Sequence, residues 1–321
     1  MKRKHITILR GGPSEEYFVS LKTGAKVRAT LEELGCRVTD VIISKQGEWL
    51  VAGQNKSPQQ VISGTDLVFN ALHGRFGEDG ELQKILQSFN VPFTGSRAMP
   101  SAIAFNKQAT KEYVSRYGIL TPPYRQIRSE DAFRLGDIIA EITTSFGPEY
   151  VVKPVASGSS VGVTLVPAGH DLKAAIERSL LLYDNLIVEE YIRGKEATVA
   201  VMNSFRGQDT YVFPAIEIIP PRQADFFNTE AKYNGETEEL CPGNFTFKER
   251  VALSEAATLI HNVIDLNQYS RSDFIVKNGQ IWFLEVNTLP GLTAESLFPK
   301  AAAAVGLPYR ELIRHLVETA R

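Results

Sequence analysis

The chain has little of the material from which several function classes are built. Its 321 residues include only two cysteines, Cys36 and Cys241, far apart and outside any metal-binding spacing. A reduced, cytoplasmic setting is a simpler reading of them than a disulfide framework. No apolar run approaches the roughly 20 residues of a membrane span. The basic start MKRKH is followed only by Ile6-Thr7-Ile8-Leu9 before Arg10-Gly11-Gly12, too short for the apolar part of a signal peptide. The formal net charge of -2 leaves no electrostatic footprint for nucleic acid or an anionic membrane. An anionic ligand must therefore be held by local positive groups. Also missing are the G-x-G-x-x-G fingerprint of a dinucleotide fold and a Walker A loop with its following helix. What remains is 43% hydrophobic and 22% charged, enough for two or three compact units with sizeable cores.

The first third alternates strands and helices. HITIL, VTDVII and LVFNAL read as strands, residues 19–34 as a helix stopped by Gly35, and a further helix starts at Glu81. This rhythm predicts an open parallel α/β sheet with function at the C-terminal ends of its strands. Residues 101–117 read as one helix ending at Gly118. Beyond them the pattern becomes α+β: EYVVKP, VGVTLV, LIVEEYI, EATVAVM and YVFPAIEII are strands between Gly-rich turns. Residues 220–247 read as a long loop, of the kind that is either a lid or disordered. Helix returns at 248–264, a hairpin at 271–287 and a last helix near 308–320. The domains expected are 1–105, 106–188 and 189–321.

The hairpin RSDFIVKNGQIWFLEVN is the most informative piece. A two-residue Asn278-Gly279 turn is the default for such a sequence. It would set Asp273 against Leu284 and mix polar with apolar on both faces. A three-residue loop, Lys277-Asn278-Gly279 with Gly279 left-handed, pairs Val276 with Gln280 instead. It puts Phe274, Trp282, Leu284 and Val286 on one face, and Arg271, Asp273, Phe283, Glu285 and Asn287 on the other. Two carboxylates and an amide oxygen then converge beside an arginine. Such hard oxygen ligands suit Mg²⁺ that shares phosphate oxygens; a surface salt-bridge cluster fits the hairpin alone equally well.

VVKPVASGSSVGVTLV supplies the complement. Lys153 ends a strand, and the small residues through Ser157-Gly158-Ser159-Ser160-Val161-Gly162 let backbone N–H groups cradle phosphate. An ordinary flexible hairpin is the bland alternative. RGGPSEEYFVS follows the first strand and opens a helix, where backbone donors face the strand ends. HGRFGEDGELQ brackets His73, Glu78 and Asp79 with glycines; a lone histidine there is more often structural, and the acids favour the next helix's N-terminus.

Taken in order, seven motifs resemble the D-alanine–D-alanine ligases of the ATP-grasp superfamily. They are GG-x-S-x-E-x-x-V-S at 11–20, HG-x-x-GEDG at 73–80, Asn106-Lys107, K-P with GSSVG at 153–162, EAKY at 230–233, R-x-D at 271–273 and E-x-N-T-x-PG-x-T at 285–293. The resemblance spans nearly the whole chain. It implies an ATP-grasp fold, with an N-terminal open parallel α/β domain followed by two α+β subdomains that clamp ATP. It also implies synthesis of D-alanyl-D-alanine for peptidoglycan through a D-alanyl phosphate, by a cytoplasmic homodimer. Lys107, Lys153 and the loop Ser160 would contact phosphates, Glu189 would read the adenine edge with Glu190 beside it, and Glu196 would hold the ribose. Asp273, Glu285 and Asn287 would carry two Mg²⁺ (or Mn²⁺). Glu16 would bind the first D-alanine's ammonium with His73 close by. Arg271 and the Gly291 N–H would face the oxyanion, and Ser296 and Leu297 would hold the second D-alanine. Lys232 and Tyr233 would ride on the closing loop. Tyr233, linked to Ser159 and Glu16, would favour an amine over a hydroxy acid as nucleophile.

The chain departs from the family pattern at Ala156 and Ser157, where an arginine and an acid often precede GSSVG. It also departs at Ser272, usually aliphatic, and at Lys84, usually small. None of these removes a chemical group, so loop closure and rate are what they touch. A ligase for D-lactate or another amino acid, and a non-catalytic nucleotide-binding module, are the rival readings.

Overall fold

The computed structural model describes residues 4–158, 161–220 and 237–321. The first unit contains β1 (His5–Gly11), α1 (Tyr17–Glu33), β2 (Arg37–Ile43), β3 (Trp49–Val51), β4 (Gln54–Asn55), α2 (Pro58–Ile62) and β5 (Leu67–Asn70). Its sheet order is β4-β3-β2-β1-β5, with β1 parallel to both neighbours. The parallel centre expected from the βαβ rhythm is present. The sheet as a whole is mixed, because β3 and β4 extend it antiparallel. Ala52 and Gly53, both at positive φ (49° and 80°), make the tight turn between them, which no alternation of apolar residues announced.

Next come α3 (Glu81–Ser88), α4 (Ala98–Phe105) and α5 (Lys107–Ser115). The single helix expected over 101–117 is two. Asn106 is extended (φ −91°, ψ 103°) and its Oδ1 accepts from the Ala109 N–H at 2.9 Å, so it caps a fresh helix. That break places Lys107 at the start of α5 instead of inside a longer rod.

The second unit has β6 (Tyr124–Arg128), a 3₁₀ turn at Ser129–Arg134, α6 (Leu135–Ser145), β7 (Tyr150–Pro154), β8 (Thr164–Val166), α7 (Leu172–Leu180) and β9 (Asn185–Glu190). Its antiparallel sheet runs β6-β9-β7-β8. The third unit has β10 (Lys195–Phe205), β11 (Gln208–Val212), β12 (Ile216–Ile219), β13 (Glu238–Leu240), α8 (Phe247–Val263), β14 (Tyr269–Lys277), β15 (Gln280–Asn287), α9 (Leu297–Ala304) and α10 (Tyr309–Thr319). Its antiparallel sheet runs β13-β12-β10-β14-β15, with β11 also on β10. YVFPAIEII therefore breaks at Phe213-Pro214 into two strands, since Pro214 brings no N–H to a ladder. Glu238–Leu240 is a strand inside the stretch expected to be loop, while residues 221–236 lie outside the described residues.

Both faces of the third sheet are covered. Ala197, Val199 and Val201 of β10 pack with Phe274, Phe283, Leu253 and Ala257 under α8. Ala200 and Met202, on the opposite face, share a core with Ile6, Ile8 and Phe69 of the first unit and with Phe298 of α9. The second unit's core, from Ile127 to Val188, is its own.

Candidate active site

The hairpin β14–β15 builds one wall. Its turn is the two-residue Asn278-Gly279, with φ of 52° and 78°, and Lys277 pairs with Gln280. The three-residue loop expected is thus not formed, although Gly279 is left-handed as anticipated. Positive φ at both turn residues matches the strands' twist, which is why the tight turn wins. Register is corrected further on: Phe274 pairs with Phe283, but Asp273 pairs with Glu285. Leu284 is the extra residue of a β-bulge, the device by which one strand gains a residue and re-aims its side chains. Phe283 consequently belongs to the core with Phe274 and Val286. Leu284 faces a cleft, and Trp282 lies opposite Ile275. Those three side chains exchange the faces expected of them. Arg271, Asp273, Glu285 and Asn287 do share a face, because Arg271 pairs with Asn287 as Asp273 pairs with Glu285.

The same face continues onto β10, where Glu196 pairs with Ile275, Thr198 with Asp273 and Ala200 with Arg271. Each step of two residues advances about 7 Å. A line of chemistry thus runs along the sheet, from Glu196 through Asp273 and Glu285 to Arg271 and the first unit. Arg271 clamps Asp273 with Nε and Nη2, both at 3.1 Å, and the Thr198 hydroxyl donates to the same carboxylate. Burial opposes the charge on Arg271, but Asp273, Glu285 and Glu78 together hold its guanidinium well above the ordinary arginine value.

The second sheet supplies the facing wall. Lys153 Nζ lies 2.9 Å from Glu189, and Lys111 Nζ lies 3.1 Å from the other oxygen of that carboxylate. Burial disfavours the Glu189 anion, yet the two lysines keep its carboxyl below the usual range. Lys107, opening α5, reaches Glu285 at 3.1 Å and donates to the Ser157 carbonyl at 2.6 Å. Between the walls lies an open cleft, lined among others by Lys107, Lys153, Glu189, Glu190, Glu196, Asp273 and Glu285. The residues expected to hold a nucleotide are thus gathered in one place, apart from Ser160 and Lys232, which lie outside the described residues. In the present arrangement Glu189 is turned to lysines, with 2% of its surface exposed.

Beyond the cleft, at the first unit, stands a second cluster. Glu16 precedes α1, and its Oε2 lies where a Cβ on Gly158 or Gly74 would collide, at 2.1 and 2.9 Å. Gly158 of the second unit can approach this carboxylate only because it lacks a side chain. His73 is buried: its Nε2 meets Thr23 Oγ1 at 2.9 Å, and its Nδ1 lies 3.1 Å from the Leu289 carbonyl and 3.6 Å from Glu78. Burial lowers its affinity for a proton, but Glu78, Glu16 and Leu289 together raise it above the ordinary histidine value. Gly291 backs directly onto Ser296, whose hydroxyl meets Thr293 N and Oγ1 at 3.1 and 2.9 Å. Leu297 packs on Ile218, itself a cleft residue. Ser159 and Tyr233 lie outside the described residues.

Sequence reasoning missed Lys111 and Thr198. The i, i+4 spacing of Lys107 and Lys111 was the available signal for the first. Of the departures, Ala156 and Lys84 are exposed, and Ser157 contributes its carbonyl to Lys107. Ser272 is fully buried on the back of the wall.

The hard oxygens of Asp273, Glu285 and Asn287, side by side on one face, fit Mg²⁺. No trio of His, Cys, Asp or Glu poised for a metal occurs among the described residues, so the amide is a necessary part of such a set.

Two sheets that set a lysine-bearing wall against a carboxylate-bearing one have the arrangement of an ATP-grasp fold. Residues 113–318 match the family model described as D-ala D-ala ligase C-terminus, and residues 52–96 match D-ala D-ala ligase N-terminus. The D-alanine--D-alanine ligase of Syntrophotalea carbinolica is 35% identical, covering 99% of this chain and 96% of its own. The crystal structure of D-alanine--D-alanine ligase from Bacillus anthracis complexed with ATP superposes with a TM-score of 0.80 at 28% identity, covering 99% and 97%. The VanG D-Ala:D-Ser ligase from Enterococcus faecalis superposes at 0.83 with 27% identity, covering 99% of each chain. The chain belongs to the D-alanine–D-alanine ligase family. No helix among the described residues is long and apolar enough to cross a membrane.

Proposed function

We propose that this protein joins two D-alanines at the expense of ATP, giving D-alanyl-D-alanine, ADP and phosphate for peptidoglycan precursors. The observation that carries this is the opposition of walls. Lys153 lines one cleft with Asp273 and Glu285, Lys107 bridges its walls through Ser157 and Glu285, and Arg271 lies two residues further toward Glu16 and His73.

A carboxylate is a poor acyl donor. Its oxygen attacks the γ-phosphorus, the bond to ADP breaks, and a D-alanyl phosphate results. The amine of a second D-alanine then attacks the carbonyl carbon, and phosphate leaves. Charge accumulates between nucleotide and amino acid in both steps, where fixed positive groups act most strongly. Lys107 and Lys153 hold the phosphates, and Glu196 holds the ribose. Glu189 and Glu190 border the base. Arg271 and the Gly291 N–H receive the oxyanion, Glu16 orients the first ammonium with His73 behind it, and Ser296 and Leu297 seat the second amino acid. Asp273, Glu285 and Asn287 would hold Mg²⁺ or Mn²⁺, which neutralises phosphate charge when bound. Ser160 and Lys232 are assigned to the nucleotide, and Ser159 with Tyr233 to the choice of an amine as nucleophile. The active form is a cytoplasmic homodimer, checked by sedimentation of the purified protein.

The likeness to a D-Ala:D-Ser ligase gives a second reading. ADP release is to be measured with D-alanine alone, with D-alanine plus D-serine, and with D-alanine plus D-lactate. D-alanine alone should support full turnover. Dependence of turnover on D-serine or D-lactate would replace the proposal.

A further inference from the structure

One buried group in the cleft wall is not used by the chemistry above. Lys111 has no exposed surface and does not line the cleft, yet it approaches Glu189 to 3.1 Å and the Phe283 carbonyl to 3.3 Å. Glu189 already has Lys153 at 2.9 Å. One carboxylate needs one counter-charge, and a second ammonium taken fully out of water is costly. Burial accordingly draws the Lys111 ammonium down to about 8, against the pull of Glu189. A purely structural ion pair gives no reason for the surplus cation.

Nucleotide binding gives one. Lys153 lines the cleft and Lys111 stands behind Glu189. For Lys153 to serve a phosphate, its ammonium must turn from Glu189 toward the ligand. Alone, that movement would strand an anion that is 2% exposed, which is strongly unfavourable. We propose that Lys111 is a positioning residue for the nucleotide's phosphates: it keeps Glu189 compensated, so that Lys153 is free to exchange that carboxylate for the phosphate chain. Lys107 and Lys111 then act as a pair one helical turn apart on α5. Each touches both walls, Lys107 through Ser157 and Glu285, Lys111 through Glu189 and Phe283. The inference rests on the reading of the cleft as a nucleotide site.

Calorimetric binding of a non-hydrolysable ATP analogue and of adenosine separates this from a packing role, because adenosine makes no demand on Lys153. Lys111→Met should weaken the analogue at least about tenfold and leave adenosine within about twofold, since an uncompensated anion retains Lys153. Lys111→Arg, which keeps the charge, should restore most of the loss. Lys111→Met/Glu189→Gln removes both the cation and the anion it serves, so the ratio of analogue to adenosine affinity should return to within about threefold of wild type. Unchanged analogue binding in a folded Lys111→Met, or equal losses of both ligands, would overturn the proposal. If Lys111→Met does not fold, the double variant decides alone, and a tenfold fall in its affinity ratio overturns it. A wild-type protein that binds neither ligand fails the cleft reading instead.

Discussion

The two walls of the cleft are anchored differently. The β14–β15 wall belongs to a sheet covered on both faces: one face packs on its own helix α8, and the other merges with the first unit through Ala200, Met202, Tyr269 and Phe298. The β7–β9 wall closes over a self-contained core, with Leu135, Ile138 and Ile176 of its helices on Val152 and Val188. Polar ties such as Lys107–Ser157, Lys111–Glu189 and the Glu16–Gly158 approach join the two sides. The difference divides labour. Groups that must be held in one geometry, namely Asp273, Glu285, Arg271, Glu16 and His73, sit on the shared core. Lys153, assigned above to the nucleotide's phosphates, sits on the unit with its own core, and that contrast predicts a wall that shifts as a body against a fixed one.

Core truncations give the largest test of this contrast. Phe298→Ala should cost about 3–5 kcal/mol and lower amide protection in the first and third units together. Ile176→Ala should cost about 2–5 kcal/mol and lower protection only across residues 124–190. Hydrogen exchange followed by mass spectrometry reads both patterns. Loss of protection over the entire chain from Ile176→Ala would remove the distinction between a shared base and an independent wall.

Arg271→Ala comes next. Arg271 belongs to the β14–β15 wall and lies beyond the residues lining the cleft. Turnover should fall about 10²–10³-fold, as for other groups aimed at developing charge, while KM for ATP moves by less than about threefold. Steady-state kinetics with saturating D-alanine decides it. Intact turnover with a large loss of ATP affinity would make Arg271 a ground-state nucleotide ligand.

A smaller effect is expected from pH. Lys111 releases its proton near 8 in the fold but near 10.5 in the unfolded chain. Between those values the unfolded state binds more protons, so this group's cost to folding, full below pH 8, shrinks as pH rises toward 10.5. ATP affinity should move the opposite way, weakening up to about tenfold through pH 8 to 9.5 as Glu189 loses its second counter-charge. Lys111→Arg, which stays charged, should flatten that profile. An equally steep profile in the arginine variant would assign the titration to another group.

The fold's large divisions were legible because they rest on periodicity: β1, β2 and β5 alternate with helix, and the later strands lie between glycine turns. What escaped was local irregularity that tertiary packing resolves. Asn106 breaks a helix that its neighbours would continue, and it does so to cap Lys107. At the hairpin, face composition argued against the Asn278-Gly279 turn, yet the chain keeps that turn and inserts Leu284 as a bulge. The polar face was therefore foreseen, although the loop that was to produce it was not. Lys111 was missed because a lysine on a helix reads as solvent-facing until a buried carboxylate is found beside it. Glu16 and Gly158 are separated by more than 140 residues, so no spacing rule links them.

The last comparison lies within one strand, and its effect is the smallest. Ser270 and Ser272 of β14 both point to the back face, away from Arg271 and Asp273, and both are fully buried. The Ser270 hydroxyl lies 2.8 Å from Nδ1 of His261. The Ser272 hydroxyl has no partner among the described residues and lies level with Val199 and Val286 on the neighbouring strands, both members of an apolar core. A buried hydroxyl without a hydrogen bond costs about 1–3 kcal/mol, whereas a satisfied one contributes about 1 kcal/mol net. Deleting the two should therefore act in opposite directions. Ser270→Ala strands a ring nitrogen of His261 and should lower stability by about 1–2 kcal/mol. Ser272→Ala removes an orphan at the expense of a small void and should leave stability unchanged or raise it by up to about 1 kcal/mol. Turnover should stay near wild type in the second case, because Arg271 and Asp273 lie on the other side of the strand. Denaturant unfolding of the two variants side by side makes the test. Equal destabilisation would mean that Ser272 has a polar partner in solution, and that the aliphatic residue usual at this position in the family is not simply interchangeable with it.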